Sequence, residues 1–176
     1  MINIIKAGIS RTSRILSVYH LFTHCREVSI YEAVPGVCAK TFSRDIRLLK
    51  NAGVLRTKYS KKDRAFIPLD THTPPFEPNL PEGKPQRAYI LKIRRLCILM
   101  NELYDFEDEE KPLHIELYQR LFPDVNIRTR QRDLAELAKL GFISQDYYDD
   151  EEKRWYRSFN TPKDAYDLKT IEEGEL

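Results

Sequence analysis

The chain of 176 residues has few cysteines, few glycines and no long apolar run, and each of these absences excludes a class of protein. No apolar run approaches the roughly 20 residues that a membrane-spanning helix needs, so we expect no membrane partner. The 3 cysteines contain no C-x-x-C pair and leave one unpaired in any disulfide scheme, which is typical of a reducing cytosol. The 6 glycines are scattered and form no loop that could bind a phosphate.

Motifs for catalysis, export and metal binding are missing as well. No nucleophile, base and acid are arranged as a triad, so we do not expect an enzyme. Residues 1–10 contain no convincing cleavage site, so we expect no export signal and a cytoplasmic protein. His20, His24 and Cys25 have a spacing that can bind metal, but the pattern offers no fourth ligand. We therefore predict neither a metal nor a cofactor.

One pattern is present twice, 88 positions apart. Residues 35–55 are PGVCAKTFSRDIRLLKNAGVL, and residues 123–143 are PDVNIRTRQRDLAELAKLGFI. The two copies keep the same spacing through a turn, a helix and the glycine that closes the helix. This repeat indicates the duplication of one structural unit.

The repeat predicts two small domains joined by a linker. Five of the 10 prolines lie between Pro74 and Pro85, which forbids a helix there and favours extended geometry. About 16 such residues at roughly 3.1 Å each could separate the domains by some 50 Å. The predicted segments are a first domain at 1–69, the Pro-rich linker at 70–86, a second domain at 87–160 and an acidic tail at 161–176.

Hydrophobic spacing and capping residues predict three helices followed by a hairpin in each domain, an α+β fold that is mainly helical. In the first domain, Thr12 or Ser13 caps a helix that ends near Thr23, with Ile15, Val18, Tyr19 and Phe22 on one side. The following elements are a short helix from Ser29 to the Pro35-Gly36 turn, a third helix at 39–51 stopped by Gly53, and strands at 54–59 and 64–69. The second domain repeats this order, with helices at 87–104, 112–122 and 127–139 and strands at 142–148 and 154–159.

The formal net charge of +2 conceals a separation of charge along the chain. Residues 1–67 carry 13 Lys and Arg residues against 4 Asp and Glu residues, whereas residues 85–160 carry 13 against 15. A cationic body attached to a mildly acidic one usually has a polyanionic partner. The first domain is therefore the candidate for binding nucleic acid.

The third helix of the first domain has an apolar face and a cationic face. At 100° per residue, the apolar stripe consists of Phe42, Ile46, Leu49 and Gly53. The opposite side consists of Lys40, Arg44, Arg47 and Asn51. Arginine can bind guanine and asparagine can bind adenine in the major groove, while lysine neutralises phosphate.

The predicted DNA-binding residues of the first domain lie on this helix and on the hairpin that follows it. They are Lys40, Thr41, Ser43, Arg44, Arg47, Asn51, Arg56, Lys58, Lys61, Lys62 and Arg64. A possible second DNA site on the matching helix of the second domain consists of Arg128, Thr129, Gln131, Arg132 and Lys139.

The segment Thr41-Phe42-Ser43-Arg44-Asp45-Ile46, followed by Leu49 and Gly53-Val54-Leu55, resembles the T-x-x-R-D-[IL]-x-x-L-x-x-x-G signature of winged helix-turn-helix domains. Such domains are found at the N-termini of DeoR-type and WYL-domain bacterial transcription regulators. Both copies match, so the resemblance covers residues 11–69 and 87–159. It implies two tandem winged helices, with the third helix in the major groove and the hairpin as the wing. It also implies that Asp45 and Asp133 are structural rather than base contacts.

The chain departs from these families in two ways. It contains no segment long enough to be their ligand-sensing domain, so no small-molecule effector is expected. In the second copy, Ala135 replaces Arg47, Arg130 occupies the stripe position of Phe42, and the hairpin tip at 149–152 is DDEE, which a phosphate backbone would repel. The second domain is therefore either a weaker DNA reader or a module for dimerisation or partner binding.

These patterns favour a transcription regulator that binds double-stranded DNA sequence-specifically through the third helix and basic wing of its first domain. Two alternatives share the same fold. One is a tandem winged-helix scaffold that binds protein, as in the segregation and condensation protein B family. The other is a plasmid or phage replication initiator.

Overall fold

The computed structural model of the chain describes residues 10–24, 28–29, 37–69, 75–104, 114–149 and 154–159. Within these ranges the fold is mainly helical with short antiparallel sheets, which confirms the α+β class at this level. The elements in chain order are α1 (Arg11–His24), β1 (Val28–Ser29), α2 (Ala39–Asn51), β2 (Thr57–Ser60), β3 (Ala65–Pro68), α3 (Lys84–Tyr104), α4 (His114–Leu121), α5 (Ile127–Lys139), β4 (Ile143–Asp149) and β5 (Arg154–Phe159).

The chain divides into two compact units, and the boundary between them lies between Arg94 and Arg95. The first contains α1, α2 and an antiparallel sheet of order β1-β3-β2, and the second contains α4, α5 and the β4-β5 hairpin. Helix α3 contributes residues to both units. The predicted tail at 161–176 lies outside the described residues.

The helices that carry the repeat, α2 and α5, begin and end where the sequence predicts. The hairpin of the first unit is shorter than predicted, because residues 53–54 complete the turn that ends α2. The pairing of β1 with β3, through Val28 with Phe66 and Ser29 with Ala65, was not predicted. Ser29 therefore lies in a strand, and the rest of the predicted short helix, residues 30–36, lies outside the described part.

The predicted cap of α1 is wrong. The Oγ of Ser10 accepts the backbone N–H of Ser13 at 3.1 Å, so α1 begins one residue after Ser10. Thr12 and Ser13 are buried inside the first turn of the helix instead. The start of α3 also differs, since it begins at Lys84 and accommodates Pro85 in its first turn, where a missing N–H costs nothing.

The core of the first unit lies between α1, α2 and the sheet. Ile15, Val18, Tyr19 and Phe22 of α1 are all buried, as their spacing predicts. The rings of Phe22 and Phe42 stack at 6.3 Å between centroids, and Phe66 of β3 meets both rings edge-on. Because α2 packs through Phe42, Ile46 and Leu49, its opposite face is left exposed.

A buried carboxylate anchors α2 in the first unit. Asp45 is 2% exposed, and its two oxygens accept hydrogen bonds from Arg14 of α1 at 2.6 and 3.1 Å. The second unit has the same arrangement, with Asp133 of α5 and Arg95 of α3 at 2.7 Å. This pairing agrees with the structural role that the resemblance implies for the two aspartates. The partner arginines are 81 positions apart rather than 88, so the repeat does not align them.

Tyr118 of α4 adds a third member to the buried pair of the second unit. Its hydroxyl donates to Oδ2 of Asp133 at 2.5 Å and accepts from Nε of Arg95 at 3.0 Å. Burial and the neighbouring Asp133 carboxylate raise the pKa of Tyr118 well above its ordinary value of 10.0, so the hydroxyl keeps its proton.

Both repeat helices end in the same capping turn. The amides of Val54 and Phe142 donate to the carbonyl oxygens of Leu49 and Leu137 at 3.2 and 2.9 Å, which is the Schellman arrangement. The glycine in each turn, Gly53 or Gly141, has a positive φ of 68° or 82°, as a left-handed C-terminal position requires.

Residues 75–83 contain no helix or strand, as the prolines predict, but they are not a free spacer. The amide of Phe76 donates to the carbonyl oxygen of Gly53, and that of Asn79 donates to Asn51, each at 2.8 Å. The last carbonyl groups of a helix lack intrahelical donors, and this extended segment supplies them. Part of the predicted linker is therefore fastened to the end of α2 within the first unit.

Gly53→Ala should lower the free energy of unfolding by at least about 2 kcal/mol, because a side chain is disfavoured at this φ. The added Cβ would also collide with the carbonyl oxygen of Phe76 and lie 2.6 Å from a guanidinium nitrogen of Arg94. Chemical denaturation followed by circular dichroism measures the loss. Gly83→Ala is the matched control, since its Cβ would meet nothing within 4 Å. Equal losses in the two variants would contradict this account of Gly53.

Tyr118→Phe should destabilise the second unit by about 1–3 kcal/mol, because Asp133 loses a buried hydrogen-bond donor while the ring packing is kept. The Tyr118 hydroxyl contributes its full stabilisation of the fold below the ordinary tyrosine pKa of about 10. This stabilisation decreases at higher pH, because the hydroxyl ionises in the unfolded chain before it does so in the folded protein. The variant should therefore lose less stability than the parent above that pH. The fluorescence of the single tryptophan, Trp155 in β5, follows unfolding of this unit.

Tyr89→Phe is the matched control for that measurement. Among the described residues, the Tyr89 hydroxyl contacts only the Thr12 hydroxyl, at 3.4 Å in the first unit. A loss in this control as large as in Tyr118→Phe would show that the buried triad has no special role.

Candidate nucleic-acid interface

The outward face of α2 carries the predicted cations. Lys40, Ser43, Arg44 and Arg47 are all exposed, while Asp45 between them points into the core. The four exposed residues fall within two turns of the helix, so Lys40 and Arg47 are separated by about 10 Å along the axis at 1.5 Å per residue. The helix therefore presents a short row of positive charge to solvent.

Within the described part of the chain, the arginines of this row have no acidic partner. Asp45 is paired with Arg14, which lies on the core side of α2. No carboxylate among the described residues forms an ion pair with Arg44 or Arg47. Both guanidinium groups are therefore available to an external anion.

The C-terminal end of α2 uses its polar residues differently. The Nζ of Lys50 donates to the carbonyl oxygen of Thr57 at 2.8 Å, and desolvation of this amine lowers its pKa. Lys50 therefore connects α2 to the first strand of the hairpin. Asn51, a predicted base contact, is half-buried, and its carbonyl oxygen accepts the amide of Asn79.

At its N-terminal end, α2 begins after the exposed Cys38. The Sγ of Cys38 lies 3.3 Å from the Oγ1 of Thr41, and hydrogen bonding with Thr41 lowers the pKa of the thiol. Thr41, another predicted DNA contact, is half-buried, and its hydroxyl is engaged in this side-chain contact. Ser43 and Lys40 remain exposed beside it.

The hairpin after α2 presents a second group of cations. β2 and β3 are joined by the exposed turn at 61–64, which contains Lys61, Lys62 and Arg64. Asp63 in this turn accepts the Ser60 hydroxyl at 2.6 Å and forms no ion pair with the lysines. Arg64 has a φ of 52°, a conformation that non-glycine residues rarely adopt. Lys58 in β2 is exposed as well.

Arg56, at the base of the hairpin, has an aromatic partner that sequence reasoning missed. Its guanidinium carbon lies 3.3 Å from the centroid of the Phe76 ring. Phe76 is held in turn by Arg94, whose Nη1 donates to the carbonyl oxygens of Phe76 and Ala52 at 2.5 and 2.7 Å. The one sequence signal for Phe76 is that it is the only aromatic residue between Pro74 and Pro85.

The matching face of α5 in the second unit is polar but less cationic. Arg128, Gln131, Arg132 and Lys139 are exposed, and the exposed Ala135 occupies the centre of this face. The amide of Thr129, which is half-buried, donates to the side chain of Asn126 at 2.9 Å as part of the helix cap. Of the acidic hairpin tip at 149–152, residues 150–152 lie outside the described residues.

Arg130 fills the stripe position of Phe42 without entering the core. Its guanidinium group donates to the carbonyl oxygens of Val125 at 2.7 Å and Pro123 at 3.1 Å. The side chain thus folds back over the turn before α5 and satisfies carbonyl groups that the turn leaves without donors. This contact explains a charge at a position where the first copy has an aromatic ring.

No family model, no curated protein and no solved structure matches this chain. Among the described residues, no helix is both long and apolar enough to cross a membrane. The same part of the chain contains no cluster of three or more side chains suited to hold a metal ion. Of the predicted His20, His24 and Cys25 set, only the side chain of His20 is described.

Cys38 should be alkylated by iodoacetamide much faster than Cys97 in the folded protein. Cys38 is exposed and the Thr41 contact lowers its pKa, whereas complete burial raises the pKa of Cys97 well above its usual range. Thr41→Val should slow the reaction of Cys38, because the thiolate is the nucleophile and loses a hydrogen bond. Peptide mass spectrometry over time measures both rates, and equal rates for the two cysteines would contradict this assignment.

Proposed function

We propose that the protein is a transcription regulator that binds double-stranded DNA sequence-specifically through its first unit. The observation that carries the proposal is the row of exposed cations on α2, which form no ion pair with any carboxylate among the described residues. A helix enters the major groove, which is about 12 Å wide, with one face toward the base edges. The roughly 10 Å between Lys40 and Arg47 fits such a contact.

The order of elements supports a winged helix-turn-helix assignment for the first unit. α2 packs on α1 through Phe42 and through the Arg14–Asp45 pair, and the antiparallel β2-β3 hairpin follows α2 directly. The third strand, β1, pairs with β3 and extends the hairpin to a three-stranded sheet. The second unit has α5 and the β4-β5 hairpin in the same order, which supports a tandem pair.

Within this proposal each cation has a role set by its position. Arg44 and Arg47, near the middle of the exposed face, bind base edges in the major groove, and Lys40 binds phosphate at its start. Lys61, Lys62 and Arg64 at the hairpin tip lie along the sugar-phosphate backbone as the wing. Thr41 and Asn51 have smaller roles than the sequence predicts, since both are half-buried and engaged at the ends of α2.

We propose that the second unit binds DNA more weakly than the first. Arg128 and Arg132 are exposed on α5 with Gln131 between them, and all three side chain types can contact bases or phosphates. Ala135 removes the cation that corresponds to Arg47, so fewer contacts are available on this helix. The tandem arrangement would then supply a second contact within one chain.

Replacing both Arg44 and Arg47 with Ala should weaken specific DNA binding by about 2–6 kcal/mol, because each good base contact contributes about 1–3 kcal/mol. The duplex used is one selected from a random pool by the parent protein, and binding is measured by fluorescence anisotropy. Folding should be unchanged, since both side chains are exposed and lie outside the core.

The matched control removes two charges from another exposed surface. Lys84→Ala combined with Arg87→Ala changes the first turns of α3 by the same net charge and should lose far less affinity. If the Arg44 and Arg47 variant binds the duplex as well as the parent, the assignment of α2 is wrong.

A salt titration separates DNA binding from a protein-binding scaffold. A DNA-binding protein loses affinity for random duplex with a slope of about −0.9 per phosphate contact. Absence of any salt-dependent binding would favour the scaffold alternative and overturn the proposal.

A further inference from the structure

Both main-chain groups of Phe76 are hydrogen-bonded, one to the turn that ends α2 and the other to Arg94 of α3. Its amide donates to the carbonyl oxygen of Gly53 at 2.8 Å, and its carbonyl oxygen accepts from Arg94 at 2.5 Å. The approach to Gly53 is so close that a Cβ on this glycine would overlap the Phe76 carbonyl group. The position of Phe76 is therefore set by the end of α2 and by Arg94 of α3, and not by the extended segment alone.

The Phe76 ring supports the guanidinium group of Arg56. The 3.3 Å separation places this cation against the ring, where the negative face of the aromatic system attracts it. A guanidinium group that uses its flat face for stacking keeps its N–H edges directed outward. Arg56 is exposed, so these edges are accessible to a ligand.

Arg56 differs from the other cations at this end of α2. Lys50 is bound to the Thr57 carbonyl group, and Arg94 is bound to the carbonyl groups of Ala52 and Phe76. Among the described residues, none accepts a hydrogen bond from the Arg56 side chain or forms an ion pair with it. The nearby carboxylate of Glu77 interacts with Arg94. Burial lowers the pKa of Arg94, and Glu77 offsets part of this lowering.

The location of this arginine suits a backbone contact. The cationic face of α2 ends at Asn51, and the amide of Asn79 is bonded to the Asn51 carbonyl oxygen. The segment that carries Phe76 therefore runs beside the end of that face. A helix lying in a major groove has phosphates beyond its ends, and an arginine edge binds phosphate with two parallel hydrogen bonds.

We propose that Arg56, stacked on Phe76, binds a backbone phosphate of duplex DNA beyond the C-terminal end of α2, and that Phe76 is the positioning residue for this contact. The proposal rests on the proposed function, because it requires α2 to lie against DNA. It gives part of the proline-rich segment a role in the binding surface, where sequence analysis predicts only a linker.

The test uses the full chain and a random-sequence 20-bp duplex, with affinity measured over a range of salt concentrations. Arg56→Ala should weaken binding roughly tenfold and reduce the salt slope by about 0.9, the value for one phosphate contact. Phe76→Leu keeps both main-chain bonds and should weaken binding about threefold, since stacking alone is removed. Phe76→Trp should restore the parent affinity, and Phe76→Leu should add nothing to Arg56→Ala.

Arg87→Ala, which removes one exposed charge from α3, is the control for a general loss of positive charge. Parent-like affinity and slope in Phe76→Leu, alongside weakened Arg56→Ala, would overturn the positioning role of Phe76. If Arg56→Ala and Phe76→Leu both keep the parent affinity and salt slope, the phosphate contact is wrong. If the Arg44 and Arg47 double variant still loses binding in that case, the proposed function stands. No duplex binding by the parent would overturn both.

Discussion

The buried ion pair between an arginine and the aspartate of each repeat is the constraint on which the rest of the structure depends. A charge removed from water without a partner costs several kcal/mol, so Asp45 must meet Arg14 and Asp133 must meet Arg95. Together with the buried apolar residues on the same side, this requirement sets the rotation of α2 and of α5 about their own axes. Since neighbouring helical residues are 100° apart, the arginine that precedes each aspartate then points to solvent. One pair thus anchors the helix and exposes its candidate binding face.

The two units share this scaffold but differ at their surfaces. Both repeat helices are followed by a glycine of positive φ and have the same pair of capping hydrogen bonds, so the same helix-ending turn occurs in both units. The exposed face is where they diverge, with Arg47 in the first unit and Ala135 in the second. Arg130 shows how a charge can enter the apolar stripe, because the carbonyl groups of the preceding turn provide acceptors for it. The two helices therefore share their capping and their buried aspartate, and they differ in the charge of the exposed face.

The C-terminal end of α2 is stabilised both by the local capping turn and by contacts with residues distant in sequence. The carbonyl groups of Asn51, Ala52 and Gly53, at and just beyond this end, accept from the amide of Asn79, from Arg94 and from the amide of Phe76. The same contacts bring an aromatic ring under Arg56. The proline-rich segment therefore completes the first unit as well as connecting the two repeats.

Local pattern determined the helices that carry the site. The bounds of α2 and α5, the buried stripe of Phe42, Ile46 and Leu49, and the exposure of Arg44 and Arg47 follow from helical periodicity and a stopping glycine, which act within a few residues. Only the tertiary structure decided which distant groups meet. The Arg14–Asp45 and Arg95–Asp133 pairs, the β1-β3 pairing and the seat of Arg56 on Phe76 each join residues far apart in sequence, and no periodicity encodes such contacts.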